Sequence, residues 1–252
     1  MQNNTFPTLF VGQSIQKLEE IDSTNNYLKL MLSNYEPLAN GTVIMADHQT
    51  AGRGQYGNKW LAPAKKNLTA SFFLKTDFIL ANDQFNLNKA VSLAVYDCLT
   101  HFLIEDCKIK WPNDIYVGNK KIAGILIENR LQGKYLKDSI IGIGLNVNQS
   151  EFYGVNHATS IFRIIKKEMD LQKVLEMLCV ALEERYLQLQ KGENFDKEYL
   201  KNLFRFNLLG IFRCNGEDFE GRIIGIDSVG RLMIESDNNI KHFSIKEVSF
   251  VL

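Results

Sequence analysis

Two polar segments carry the residue types that small-molecule chemistry needs. The first, residues 110–114 (Lys-Trp-Pro-Asn-Asp), separates the short apolar segments 107–109 and 115–117 and places a cation, an amide and a carboxylate at a strand end. Binding and catalytic residues are commonly found where a loop interrupts regular structure. An alternating strand that carries Lys121 follows at 120–128. We expect small-molecule chemistry at this corner.

The second segment, residues 52–60 (Gly-Arg-Gly-Gln-Tyr-Gly-Asn-Lys-Trp), is a glycine-rich loop with two cations and an indole, suited to closing over an anionic, aromatic ligand. Its glycines formally match the dinucleotide fingerprint, which needs a helix that starts at the glycines. Only about ten residues, Pro63 among them, precede the next strand, too few for a crossover. No Gly-Lys-Ser/Thr closes the loop as in a P-loop. Together, the two segments indicate a nucleotide-using enzyme.

Taken alone, each of these features also fits an ordinary structural role. The glycines could simply permit turns, Trp111 could be a core aromatic, Lys121 a solvated edge residue, and Asn146 in 142–148 (Gly-Ile-Gly-Leu-Asn-Val-Asn) the end of a strand. The four histidines show no metal-ligand spacing, and no nucleophile elbow or catalytic triad is evident. The ordered co-occurrence of the motifs, which begins with Ser-Thr-Asn at 23–25, favours a functional site.

Composition limits the class of protein. Of 252 residues, 45% are apolar and 23% charged, and 29 basic residues balance 29 acidic ones, so nothing in the charge favours binding of nucleic acid or an anionic membrane. The four cysteines have no C-x-x-C spacing, which favours a reducing compartment. The first residues lack a secretory signal, and no apolar run approaches the ~20 residues of a membrane span. We therefore expect a cytoplasmic protein.

The apolar periodicity predicts an α+β protein. Segments 41–46, 68–74, 109–111, 115–117, 122–130 and 139–148 indicate strands, and 85–103, 171–189 and 195–204 indicate helices. Strands that follow one another directly favour a mixed or antiparallel sheet with helices on one side. Beyond Phe206, short β-rich pieces alternate with turn signals and predict a small β-barrel. We expect a catalytic domain at 1–205 and a barrel at 206–252.

From about Ile15 to Leu252 the ordered set of motifs closely resembles biotin protein ligases, and 110–128 is its most specific part. The resemblance implies a catalytic domain related to class II aminoacyl-tRNA synthetases and lipoate ligases, followed by an SH3-like barrel. It also implies a two-step reaction, in which biotin and MgATP give biotinyl-5′-AMP and pyrophosphate, and a lysine of a biotin carboxyl carrier protein then attacks the adenylate. Charge neutralisation and exclusion of water would provide most of the catalysis.

The resemblance also implies roles for individual residues. Lys121 would span the biotin carboxylate and the α-phosphate, with Arg53 as the second catalytic cation. Trp60 would stack on adenine, and Asp114 and Asn146 would bind Mg²⁺. The biotin-binding set is Ser23, Thr24, Asn25, Gln49, Gly52, Arg53, Lys121, Gly124 and Gly144. The ATP-binding set is Gln55, Asn58, Trp60, Lys110, Asn113, Asp114, Lys121 and Asn146.

One departure from the family pattern bears on the adenylate. Many members carry Gly-Arg-Gly-Arg, whereas here Gln55 stands at the second arginine position and Asn58 at a position that is often basic. Loss of a guanidinium beside the phosphate predicts a shorter-lived bound adenylate, unless Lys59 or Lys110 supplies the charge. Gln55→Arg should therefore slow adenylate release, and an unchanged or faster rate would contradict this hypothesis.

The resemblance further implies a biotin carboxyl carrier domain as partner. About fourteen residues precede Ile15, too few for the helix-turn-helix module of some relatives, so we expect no DNA binding or transcriptional repression. Residues 133–143 are a candidate sheet edge for a homodimer, or else a solvated hairpin. Two alternative functions stay open: a lipoate or octanoyl ligase on the same fold, and a non-catalytic module that binds biotin or the carrier.

Overall fold

A mixed eight-stranded sheet forms the body of the protein. The computed structural model describes residues 2–3, 6–34, 37–153 and 157–251. The strands of this sheet are β1 (Gln2–Asn3), β2 (Ser14–Ile21), β3 (Val43–Gln49), β4 (Leu68–Lys75), β5 (Cys107–Lys110), β6 (Asp114–Val117), β7 (Lys120–Gln132) and β8 (Tyr135–Leu145). Their order is β1-β2-β3-β4-β8-β7-β6-β5, and β2–β3 is the parallel pair among otherwise antiparallel neighbours. The predicted mixed sheet is confirmed.

Strand β8 lies in the interior of this sheet, so the prediction of a free edge at 133–143 is wrong. One side of β8 pairs with β4 and the other with β7. Beyond the end of β4, the Leu136 N–H still donates to the Ile79 carbonyl (2.9 Å), and Tyr135 forms a bridge with Leu80. No backbone row of β8 is left to pair with a second copy, and we propose no homodimer through it.

Helices cover both faces of the sheet, not one face as predicted. The helices are α1 (Thr24–Asn34), α2 (Phe85–Thr100), α3 (Ile161–Ile165), α4 (Leu171–Gln190) and α5 (Asp196–Lys201). On one face, α2 and α4 share the main core with Val43 and Phe72. On the other face, α1 packs its apolar side on Ile44 and Phe73. Successive side chains of a strand point to opposite faces, so β3 and β4 supply both layers.

The connection from β3 to β4 contains no crossover helix. Between Gln49 and Leu68 its helical piece is a three-residue 3₁₀ turn, Gln55–Gly57. The Arg53 and Lys59 backbones pair across the loop, and the Trp60 N–H donates to the Gly52 carbonyl (2.9 Å). The exclusion of a dinucleotide fold is therefore confirmed. The glycine-rich segment is a closed loop that connects β3 to β4.

A second, five-stranded antiparallel sheet follows the helices. It contains β9 (Leu209–Cys214), β10 (Glu217–Ile226), β11 (Leu232–Ser236), β12 (Asn239–Phe243) and β13 (Ser249–Phe250), in the order β12-β11-β10-β9-β13. This second sheet agrees with the predicted small β-domain. We still propose that the domain boundary lies between residues 205 and 206. No helix among the described residues is long and apolar enough to cross a membrane.

Candidate active site

A cavity of about 380 Å³ lies on the α1 face of the main sheet, between the loop at 52–60 and the end of the second sheet at 245–250. This volume is in the range of small-molecule sites. The structure brings fourteen of the predicted site residues to its wall: Ser23, Thr24, Asn25, Gln49, Arg53, Gln55, Asn58, Trp60, Lys110, Asn113, Asp114, Lys121, Gly124 and Gly144. Segments that are distant in sequence therefore form one site.

The charge of the cavity wall favours an anionic ligand. Among the described residues, one carboxylate lines the cavity, that of Asp114. The cationic side chains in the wall are Arg53, Lys59, Lys110, Lys121 and Lys246. Such an excess of one sign in a partly closed space concentrates oppositely charged ligands there. A ligand with several negative charges, such as a nucleoside triphosphate, would match this wall.

Lys121 is one of the cations in the cavity wall. Its ammonium is 2.7 Å from the Asp114 carboxylate, and both side chains are partly exposed to the cavity. The pairing of β6 with β7 contains a bulge at this point: Tyr116 pairs with Lys121, whereas the preceding Ile115 pairs with Ala123. A bulge interrupts the alternation of side-chain directions and often occurs beside an active site. Lys121 is therefore placed on the ligand face, with a carboxylate that keeps the ammonium in position.

Lys110 is a second cation, and it has no ion-pair partner among the described residues. Its ammonium donates a hydrogen bond to the Tyr116 hydroxyl (3.2 Å) and faces the rings of Tyr116 (4.6 Å) and Phe250 (5.0 Å). Burial lowers the pKa of Lys110; Asp114 opposes this shift, and Lys121 adds to it. A buried cation of this kind gains most from an anionic partner, which a phosphate would supply.

Trp60 lies flat against the glycines of two neighbouring strands. A Cβ at Gly144 would come within 2.3 Å of the Trp60 ring, and a Cβ at Gly124 within 3.2 Å. The indole N–H is buried and has no hydrogen-bond partner among the described residues. An unpaired buried donor costs about 1–3 kcal/mol. A ligand acceptor beside Trp60 would remove this cost, which agrees with the prediction that the indole contacts a ligand.

A polar network forms the end of the cavity under α1. The Gln49 side-chain oxygen accepts hydrogen bonds from the Thr24 N–H (2.9 Å) and hydroxyl (3.0 Å). The Ser71 hydroxyl bonds to Thr24 Oγ1 (2.7 Å) and to the side-chain oxygen of Asn25. Thr24, Asn25 and Ser71 are buried. Ser71 was missed at the sequence level because nothing local distinguishes it from other strand serines.

Glu128 determines where the Arg53 guanidinium lies. Its carboxylate accepts hydrogen bonds from Asn25 Nδ2 (2.8 Å), Lys29 Nζ (2.6 Å) and Arg53 Nη2 (3.0 Å). Arg53 also donates to the Asn26 side chain (2.8 Å). The predicted catalytic arginine therefore borders the cavity and is paired with a carboxylate. Glu128 belongs to the motif at 120–128, but the motif itself gives no reason to connect it with Arg53.

Two predicted site residues do not line the cavity. A Cβ at Gly52 would lie 2.3 Å from the Trp60 carbonyl oxygen, so Gly52 allows the loop to close and does not itself face the cavity. Asn146 is buried; its amide donates to the Thr159 carbonyl (3.0 Å), and its oxygen accepts from Asn67 Nδ2 (3.3 Å). Both ends of its amide bond inside the protein and Asn146 does not line the cavity, so its contact with metal or phosphate stays a prediction.

Comparison with known proteins identifies the family. Residues 18–146 match the model of the biotin/lipoate A/B protein ligase family. The chain is 30% identical to the bifunctional ligase/repressor BirA of Bacillus subtilis over 245 residues, which cover 93% of this chain and 73% of the relative. This chain is a member of that family. The assignment to its biotin protein ligase branch, predicted from the motifs, is confirmed.

Other biotin ligases match more than nine-tenths of the chain. The biotin–[acetyl-CoA-carboxylase] ligase of Paracoccus denitrificans is 29% identical, with 92% of this chain and 99% of the relative aligned. The Aquifex aeolicus biotin protein ligase in complex with biotin and ATP superposes with a TM-score of 0.78 at 28% identity and covers 94% of this chain and 98% of that structure. The expected two-part fold, with a mixed sheet and a second small sheet, is shared with this ligase.

Proposed function

We propose that the cavity is where this biotin protein ligase converts biotin and ATP into biotinyl-5′-AMP, and where a lysine of a biotin carboxyl carrier protein then takes the biotinyl group. In the first step, a biotin carboxylate oxygen forms a bond to the α-phosphorus, and pyrophosphate leaves. In the second step, the lysine amine forms an amide with the acyl carbon, loses a proton, and AMP leaves. No covalent bond to the enzyme is required.

The observation that carries this proposal is the make-up of the cavity wall, which combines a neutral polar network, several cations, and Lys121 held 2.7 Å from the Asp114 carboxylate. The network around Thr24, Asn25 and Gln49 would bind the uncharged head of biotin. Lys110 would contact the phosphates, and Lys121 would face both the carboxylate and the α-phosphate. We assign Arg53 to the biotin carboxylate, since Glu128 already holds its guanidinium at the cavity border.

The residues present fit a magnesium ion bound together with ATP. Mg²⁺ commonly binds one or two carboxylates plus substrate phosphates. Asp114 supplies the carboxylate, and Asn113, whose amide N–H donates to the Ile125 carbonyl, has a side-chain oxygen with no hydrogen bond among the described residues. When bound, Mg²⁺ would neutralise charge on the phosphates. Asn146 is not part of this proposed set.

The cellular compartment and the protein substrate are also part of the proposal. Three of the four free cysteines are buried, in agreement with a reducing cytoplasm as the compartment. The Paracoccus denitrificans relative is a biotin–[acetyl-CoA-carboxylase] ligase, so we propose the biotin carboxyl carrier domain of acetyl-CoA carboxylase as the protein substrate. Lipoate is the principal alternative to biotin, because the family model includes lipoate ligases.

The function is tested by pyrophosphate release from MgATP with biotin or lipoate as the acid, with and without a biotin carboxyl carrier domain. We expect biotin-dependent release and label on the carrier lysine. Lys121→Ala should reduce the rate at least 100-fold, since it removes the cation between the two reacting anions. Lys120→Ala is the matched control, because Lys120 is its exposed neighbour on the same strand outside the cavity. Release that depends on lipoate alone, or an equal effect of both variants, would contradict the proposal.

A further inference from the structure

The tip of the glycine-rich loop is held by a residue from the other end of the chain. The Lys246 ammonium donates a hydrogen bond to the Tyr56 carbonyl (3.2 Å) and stands 4.7 Å from the centre of the Tyr56 ring. Within the loop, the tip is closed by backbone bonds from Gly54 N–H to the Asn58 carbonyl (2.7 Å) and from Asn58 N–H to the Gln55 carbonyl (3.1 Å). Lys246 therefore provides a polar contact from outside the loop.

Both residues of this pair have a backbone conformation that side-chain-bearing residues rarely adopt. The φ angle is 54° at Tyr56 and 75° at Lys246. Such a conformation is strained for a residue with a side chain and persists where surrounding contacts require it. Tyr56 is 58% exposed, so burial of its ring does not provide the compensation. The contact between Lys246 and Tyr56 is the interaction that compensates for their backbone strain.

Lys246 also brings positive charge to the part of the loop that lacks it. Gln55 and Asn58 are neutral, and both line the cavity together with Lys246. No carboxylate lies within ion-pair distance of Lys246 among the described residues, and the adjacent Glu247 carboxylate accepts the Ser244 N–H (2.6 Å). The ammonium can therefore act on an anion in the cavity without competition from a carboxylate of the described residues.

The loop tip separates the cavity from a second one of about 490 Å³, lined by residues of the main body and of the second sheet. Three residues border both spaces: Gln55, Tyr56 and Ile245. Displacement of the tip would join the two cavities and expose the first further to solvent. An acyl-adenylate is a mixed anhydride that water hydrolyses, so closure at this point protects it.

We propose that Lys246 is a positioning residue that holds the glycine-rich loop closed over the acyl-adenylate and adds positive charge beside its phosphate. The proposal rests on the function assigned above and extends it to retention of the intermediate. It assigns the second sheet a role in keeping the adenylate bound until the carrier lysine arrives. The charge that the loop lacks at positions 55 and 58 is thus replaced from a different part of the fold.

The test compares the lifetime of bound biotinyl-5′-AMP in the full-length wild type, Lys246→Met and Lys246→Arg. Methionine keeps the length and apolar stem of lysine but removes the hydrogen bond and the charge, whereas arginine keeps both. After a single turnover without carrier, dissociation and hydrolysis of the adenylate should be at least fivefold faster in Lys246→Met and restored to within twofold in Lys246→Arg. Lys241→Met is the matched control, because Lys241 is an exposed lysine over the Phe219 ring (5.4 Å), outside the cavity.

Equal adenylate lifetimes in Lys246→Met and the control would overturn the proposal, as would failure of arginine to restore the lifetime. A thermal melt of each variant distinguishes loss of the loop contact from loss of the fold. Only a general structural defect would lower the Tm of both Lys246→Met and Lys246→Arg. If the wild type forms no adenylate from biotin and ATP, the proposed function itself fails. That outcome is distinct, because it is observed before any variant is compared.

Discussion

The Glu128 carboxylate connects groups beside helix α1 at the border of the cavity. It accepts hydrogen bonds from Asn25, Lys29 and Arg53, two of which are cations. Burial alone would raise the pKa of Glu128, but the hydrogen bonds from Lys29 and Asn25 and the charges of Lys29 and Arg53 lower it overall. The carboxylate is therefore ionised at neutral pH and keeps the Asn25 amide and the Arg53 guanidinium in fixed positions.

Glu128→Gln should lower the free energy of unfolding by about 1 kcal/mol at pH 7, a modest value because the carboxylate is partly exposed and solvent screens its ion pairs. A carboxylate whose folded pKa is depressed stabilises the protein above its usual pKa and loses this contribution as the pH falls through the folded value. The difference between wild type and variant should therefore shrink as the pH falls below 4.5.

Urea denaturation at several pH values measures the effect of Glu128→Gln. Glu217→Gln serves as control, since Glu217 is exposed and has no hydrogen-bond or ion-pair partner among the described residues. KM for biotin should rise in Glu128→Gln and stay constant in Glu217→Gln, because only the first change releases Arg53 and Asn25. A pH-independent stability difference would show that Glu128 acts through packing and not through its charge.

At the scale of elements, strands β7 and β8 form the floor of the cavity, and their glycines make space for the indole. Gly144 pairs with Gly124 across the two strands, so the floor has no side chain at either position. The loop places Trp60 over this bare backbone. An aromatic ring held between a flat backbone surface and a ligand contributes contact area with little conformational freedom to lose.

Gly144→Ala should displace the indole, because the new methyl group would lie 2.3 Å from the Trp60 ring. We expect kcat/KM for biotin-dependent pyrophosphate release to fall at least tenfold, which corresponds to about 1.4 kcal/mol. Gly210→Ala is the control, since a Cβ there meets its nearest atom at 3.6 Å, an ordinary contact. Alanine usually stabilises a strand relative to glycine. Unchanged kinetics in Gly144→Ala would mean that Trp60 does not depend on this close approach.

The sequence patterns predicted the positions of helices and strands well. They predicted less well which of these elements lie next to each other. Apolar periodicity located the helix at 85–103 and the strand at 139–148, which the structure has as α2 and β8. The interior position of β8 depends on pairing with β4, about 70 residues earlier in the chain, and local patterns do not encode such pairing. The prediction of helices on one side of the sheet was also wrong, because α1 packs on Ile44 and Phe73 of the opposite face.

Residues of contiguous motifs line the cavity, whereas the positions of other candidate residues depend on tertiary contacts. The residues at 110–114 and Lys121 face the cavity as expected because strands β6 and β7 are hairpin neighbours. Asn146 lies one residue beyond β8, where the chain leaves the sheet, and its amide bonds to segments far from the motif. Lys246 is 190 residues from its partner Tyr56, so no spacing rule could connect them.

At the scale of the whole molecule, the second sheet and the main body share one apolar core. Phe212, Ile223 and Leu232 of the second sheet belong to the same buried cluster as the residues of α2 and α4. At the junction, the Trp111 indole N–H donates to the Gly230 carbonyl (2.9 Å), and both groups are buried. Trp111, which lies between the predicted ATP contacts Lys110 and Asn113 in the sequence, therefore also fixes the position of the second sheet.

Gly230→Ala should separate the two parts of the molecule. Gly230 has a φ of 92°, and a Cβ there would lie 2.4 Å from the Phe85 ring of α2. Gly216→Ala is the matched control, because Gly216 also has a positive φ (86°) but open space around its Cβ position. The control should cost about 1 kcal/mol from backbone strain alone. Gly230→Ala should cost at least ~2 kcal/mol more from overpacking and should also slow adenylate formation, since Lys246 and Phe250 would move away from the cavity. Thermal melts and pyrophosphate release measure both effects, and equal Tm values for the two variants would show that the junction adapts without cost.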